Sequence, residues 1–104
     1  MEEYRVIISD LAQQDIRNTA TYIRDELLEP ELAENNTEAI LDGIFTLESM
    51  PARVPLVRDE RLTNMQIRGL LIKNYTVFFR INENQKLVEV VRVLYAKRNW
   101  QAIL

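Results

Sequence analysis

The sequence predicts an α+β fold: a helical hairpin packed on one face of a twisted antiparallel sheet, in the order β-α-α-β-β-β, with a short C-terminal helix or tail. Three observations predict it. Apolar residues recur at three- and four-residue spacing between residues 12 and 47, the period of helices with one buried stripe. After residue 65 the period becomes that of strands. The strand-like runs there are joined by two and by three residues, and connections that short leave antiparallel neighbours as the solution.

Each element has its own justification. Tyr4–Ser9 (YRVIIS) is short, rich in β-formers and partly alternating, so it reads as a first strand. Ser9 or Asp10 then caps a helix, and Asp10 with Gln13 fits a capping box. Ala12, Ile16, Ala20, Ile23 and Leu27 form its buried stripe. Pro30, with Glu29, Glu31 and Glu34 around it, suits the first turn of a second helix. Proline lacks an N–H that this turn does not need, and carboxylates favour the positive end of the helix dipole. Ala33, Thr37, Ile40, Leu41, Ile44 and Leu47 lie on one side of that helix. It should end near Met50, because Pro51 disfavours the α region for the residue before it. Residues 51–65 (PARVPLVRDERLTNM) hold two prolines and many charges and read as a loop. Three strands follow: MQIRGLLI, YTVFFRIN and KLVEVVRVLY. Lys73-Asn74 makes the first turn between them, with Asn74 tolerating positive φ, and Glu83-Asn84-Gln85 makes the second. Arg98–Leu104 forms a last short helix or packs Trp100 and Leu104 against the sheet.

Composition bounds the function. At 104 residues the chain is expected to be one domain, 1–104, around a single core. A hydrophobic fraction of 47% excludes a disordered chain. No apolar run approaches the roughly 18 residues of a membrane span, so no membrane partner is expected. The opening MEEYRVIISD is acidic where a signal peptide would be basic, which points to a cytoplasmic protein. There is no Cys and no His. Disulfides, thiolate zinc sites and His-based triads are therefore excluded. The carboxylates of Arg58-Asp59-Glu60-Arg61 lack metal-ligand spacing, so no metal and no cofactor is expected.

Charge is unevenly distributed. Residues 1–60 carry 5 Lys+Arg against 14 Asp+Glu, a balance of −9; residues 61–104 carry 8 against 2, a balance of +6. Such asymmetry points to a polyanion or an acidic partner. If the last two strands keep in-phase register, Arg80 and Arg92 emerge together on the face the helices leave uncovered. Arg68 and Lys73 join them from the neighbouring strand and turn, and Lys97 and Arg98 follow the last strand. Phe78 and Tyr95 would lie nearby. Guanidinium forks suit phosphates and carboxylates, and aromatics suit stacked bases. The competing structural reading is Arg80 and Arg92 as a solvated cross-strand pair near Glu89 or another carboxylate, and Tyr95 as a half-buried packing residue or one turned to the core by strand parity.

Three segments, YRVIISDLAQQDIRNTATYI, LESMPARVPLV and IKNYTVFFRINENQKLVEVVRVLYAKRNW, together span nearly the whole chain. In this order they resemble the RelE/ParE superfamily of bacterial type II toxin–antitoxin toxins, also called plasmid-stabilisation toxins. The resemblance implies a toxin that arrests growth and is neutralised by a cognate antitoxin, whose disordered segment folds around it. A homodimer stays open. It leaves two targets. ParE-like members inhibit DNA gyrase; RelE-like members cleave mRNA in the ribosome, and only those would be enzymes. Lys97 and Arg98 match a Lys-Arg pair that RelE-like nucleases carry after the last strand, so Arg98 and Lys97, with Tyr95, would be the catalytic set of a nuclease. Arg68, Lys73, Arg80 and Arg92 would contact the target or the antitoxin. Thr76 stands where the nucleases place an Arg, and Ile103 and Leu104 where many place a Tyr. FFRI and VRVLY look more like the ParE branch, so gyrase inhibition is marginally favoured. The alternatives are the ribosome-dependent mRNA endonuclease and a non-toxic relic that still binds antitoxin.

Overall fold

Short strands rich in β-branched and aromatic residues enclose a helical pair in the chain order. A computed structural model describes residues 3–96, with β1 (Arg5–Ile8), α1 (Asp10–Thr21), α2 (Pro30–Phe45), α3 (Glu60–Asn64), β2 (Arg68–Ile72), β3 (Tyr75–Asn82) and β4 (Leu87–Tyr95). The sheet order is β1-β4-β3-β2. β2, β3 and β4 are antiparallel neighbours, as the short turns require. β1 differs: it runs parallel to β4, from Arg5↔Leu87 to Ile8↔Val90. That pairing is available because the whole hairpin and two further strands intervene, far more chain than a parallel crossover needs. No described helix is long and apolar enough to cross a membrane.

Local chemistry sets the helix ends. Ser9 caps α1, its Oγ accepting from Ala12 N at 3.1 Å. Asp10 is already inside the helix, so the Asp10–Gln13 capping box does not form. Gln13 instead donates from Nε2 to the Ile8 carbonyl at 2.8 Å. After Thr21 the helix widens into a π turn over Tyr22–Glu26, where Leu27 N reaches back to Tyr22 O at 3.2 Å. The extra residue per turn rotates the stripe. Ala12, Ile16 and Ile23 are buried as expected, whereas Leu27 emerges 48% exposed. Pro30 opens α2. The helical run stops before Met50, which adopts left-handed geometry (φ 48°) ahead of Pro51.

The main core lies between the helices and the sheet, with Ile40, Ile44 and Leu47 against Val77, Phe79, Val88, Val90 and Val93. Gly43 allows this approach, since a Cβ there would collide with the Ile72 side chain. The opposite face is not bare. Residues 51–65 contain α3, capped by Asp59, whose Oδ1 accepts from Leu62 N at 3.2 Å. Leu62 then packs with Ile67, Phe78 and Leu94 in a second apolar cluster.

Candidate functional site

The expected cationic face is taken apart by register. β4 carries one extra residue at Val91, because Phe78 pairs with Arg92 while Phe79 pairs with Val90. Arg80 therefore faces Glu89 across the strands, and Arg92 does not accompany it. Arg80 Nε donates to Glu89 Oε1 at 2.8 Å, with both side chains solvated. Phe78 was expected beside these cations but is 1% exposed beneath α3. Arg68 is also engaged, donating from Nη1 to the carbonyls of Val54 (2.6 Å) and Ala52 (3.3 Å), which ties the 51–57 segment across the end of β2.

Arg92 serves the edge of β4. The β1 ladder stops at Ile8↔Val90, so the next β4 groups that face this edge have no β1 partner. Side chains from the start of α1 satisfy them. Ser9 Oγ donates to Val91 O at 3.1 Å, and Val93 N donates to Asp15 Oδ2 at 2.9 Å. Asp15 also receives both arms of the Arg92 guanidinium, Nε at 2.8 Å and Nη2 at 2.9 Å. The carboxylate binding raises the Arg92 pKa above its ordinary value, so this cation stays charged. The two side chains are only 20% and 11% exposed.

Beside this pair a groove of about 740 Å³ opens between the helical hairpin and the tips of β3 and β4. Its volume is in the range of ligand sites. Tyr75 and Tyr95 form one wall, edge to face with centroids 5.6 Å apart. Burial first, then the neighbouring Tyr95 and Tyr22, raises the Tyr75 pKa, so its phenol is neutral at physiological pH. Tyr22, Leu27 and Leu32 form the opposite wall and are about half exposed, at 56%, 48% and 51%. Lys73 stands at the rim in a left-handed turn (φ 57°), the geometry expected of Asn74. Asn36 lines the groove from α2 and is 9% exposed. Its Nδ2 is buried without a hydrogen-bond partner.

Of the predicted site residues, then, Lys73 and Tyr95 meet at the groove on the helix side, while Arg68, Arg80 and Arg92 are dispersed into internal contacts. Lys97 and Arg98 lie outside the described residues, as does the proposed terminal helix or tail. No group of His, Cys, Asp or Glu among the described residues is arranged to hold a metal.

Residues 6–100 match the family described as the ParE toxin of type II toxin–antitoxin system, parDE. The chain belongs to the ParE toxin family. Solved structures agree on the fold. This ParE-family chain is similar to one in the chromosomal ParDE TA system from P. aeruginosa, with TM-score 0.76 and 15% identity over 91% of this chain and 98% of that one. It is also similar to a chain in the toxin–antitoxin complex RelBE2 from Mycobacterium tuberculosis, with TM-score 0.64 and 21% identity over 89% and 98%. A third likeness is to the archaeal RelE–RelB complex from Pyrococcus horikoshii OT3, with TM-score 0.63 and 14% identity over 92% and 98%. No curated protein matches the sequence. The superfamily expected from the sequence is thus the right one.

Sequence reasoning missed Asn36, Tyr22 and Tyr75 as groove residues of this ParE-type toxin. For Asn36 a signal existed: it lies three residues after Ala33 and four before Ile40, on the inward stripe of α2. A polar residue on such a stripe needs a partner or a purpose.

Proposed function

We propose that this ParE-type toxin arrests growth by binding DNA gyrase, without chemistry of its own, and that a cognate antitoxin neutralises it. The observation that carries this reading is the commitment of the three arginines of the sheet expected to meet the target. Arg68 holds loop carbonyls, Arg80 holds Glu89, and Arg92 is locked to Asp15. A phosphoryl-transfer site needs cations pre-aimed at the developing charge, and these three are aimed at the protein itself. Tyr75, with its raised pKa, is a poor base at neutral pH. The ParDE likeness supports the same branch in fold.

The second reading is a ribosome-dependent mRNA endonuclease, and Lys97-Arg98 favours it. Its test is a reconstituted bacterial translation reaction with mRNA 5′ ends mapped by primer extension. The gyrase reading expects intact mRNA with and without the toxin. New ribosome-dependent ends, lost in Arg98→Ala, would replace it with the nuclease. If both mRNA and gyrase are untouched while the antitoxin still binds, the chain is a non-toxic relic of the fold.

A further inference from the structure

We propose, resting on the gyrase reading above, that a second groove, formed by the end of α1, the turn after it and the first three turns of α2, is the surface through which this toxin meets gyrase, and that it takes a cationic helical segment of the target.

This second groove has a volume of about 610 Å³ and shares no lining residue with the tyrosine-walled one. Its floor is apolar. Ala20 lines it from α1, and Ala33 and Leu41 line it from α2. Thr37 between them already donates its hydroxyl to the Ala33 carbonyl at 2.9 Å. Such a floor makes no hydrogen-bonding demand of its own and favours an apolar side chain or stem set into it.

Charge identifies the occupant. Glu34, Glu38 and Asp42 line the same groove at four-residue spacing, so they stand in a row along one side of α2, about 6 Å apart along its axis. All three are exposed. None makes an ion pair with another described residue. Arg24, the cation of the described lining, holds Asp25 at 3.0 Å and leaves the row uncompensated. Like charges at this spacing slightly destabilise a helix, so the row adds nothing to the fold. The groove is an apolar trough with an anionic bank.

The complementary occupant is an amphipathic helix of the partner protein. Lys or Arg four residues apart on such a helix repeat at the same interval as the carboxylates, and an apolar residue between them reaches the floor. Gyrase acts on DNA, and an enzyme that holds DNA presents cationic surface to it. The acidic balance of residues 1–60, −9, thus acquires a use, and the same charge repels free nucleic acid.

The test follows association of the full chain with immobilised gyrase at two salt concentrations, alongside inhibition of supercoiling. One variant carries Glu34→Gln, Glu38→Gln and Asp42→Asn. A charge-matched control carries Glu26→Gln, Glu48→Gln and Glu60→Gln, three exposed carboxylates outside the groove. The groove variant should associate about 10-fold or more slowly at low salt, lose most of the salt dependence and inhibit supercoiling correspondingly less. The control should behave as wild type. Ala20→Gln fills the floor without changing charge and should speed dissociation. Thermal melting of each variant separates a lost contact from a lost fold. Wild-type binding by the groove variant, wild-type dissociation of Ala20→Gln, or an equal loss in the control would overturn the docking surface and leave the gyrase reading standing. Loss of antitoxin binding with gyrase inhibition intact would assign the groove to the antitoxin and overturn it as well. If wild type neither binds nor inhibits gyrase, both readings fall.

Discussion

Asp15 ties α1 to the edge of β4. It accepts from Arg92 twice and from Val93 N once. Asp15→Ala would leave a partly buried guanidinium and a strand N–H without acceptors. We expect a loss of about 2–4 kcal/mol, since breaking such a pair costs more than the pair contributes. Urea unfolding of the variant checks this. Arg80→Ala should move stability by less than about 0.5 kcal/mol, because its Glu89 partner is solvated; the same urea assay compares the two. Tyr75 gives a pH dependence. Its pKa is raised in the folded state, chiefly by burial. Its contribution is therefore fully present below about pH 10, the ordinary tyrosine value. It is lost as pH rises through the higher folded value, because the unfolded chain releases the proton first. Tyr75→Phe should flatten the decline of stability between about pH 9 and pH 11 relative to wild type. An unchanged decline would assign that loss to other groups.

The elements show what a sequence reveals and what it conceals. The helices and the three later strands were legible because each is signalled locally, by a 3.6- or 2-residue period bounded by Pro30, Pro51 and short turns. The parallel pairing of β1 with β4 was not, because YRVIIS carries no mark of its distant neighbour. α3 was hidden for another reason. Arg58-Asp59-Glu60-Arg61 looks like a solvated charge run, yet Asp59 is a cap and Leu62, buried to 1%, is an anchor. The Val91 irregularity had no sequence signal at all, since VEVVRV reads equally well in either parity. That single residue decides where Arg92 goes, which is why the candidate site was less legible than the fold. Two variants test the packing account. Leu62→Ala should cost about 2–5 kcal/mol by opening a cavity under α3. Gly43→Val should cost about 1–3 kcal/mol by driving α2 off Ile72. Chemical denaturation measures both, and a neutral Leu62→Ala would mean that α3 does not seal the second face.

At the scale of the molecule, the chain joins an acidic helical layer to a cationic sheet half, yet Arg68, Arg80 and Arg92 of that half are each engaged by groups of the protein itself. On the helix side the described residues form a tyrosine-walled groove with Lys73 at its rim and the orphaned Asn36 amide in its lining. Such a surface suits protein recognition better than phosphate chemistry. The net charge of −3 also predicts weak, non-specific affinity for RNA, since phosphate binding depends on net cationic charge at the surface. A filter-binding titration against unstructured RNA should show little retention at moderate salt. The central claim is action by binding to gyrase, and supercoiling of relaxed plasmid by purified gyrase tests it most directly. With this chain added in excess, we expect supercoiled product to be lost, and to return when the antitoxin is supplied. Full supercoiling activity in the presence of the chain, together with ribosome-dependent cleavage of mRNA, would contradict the account.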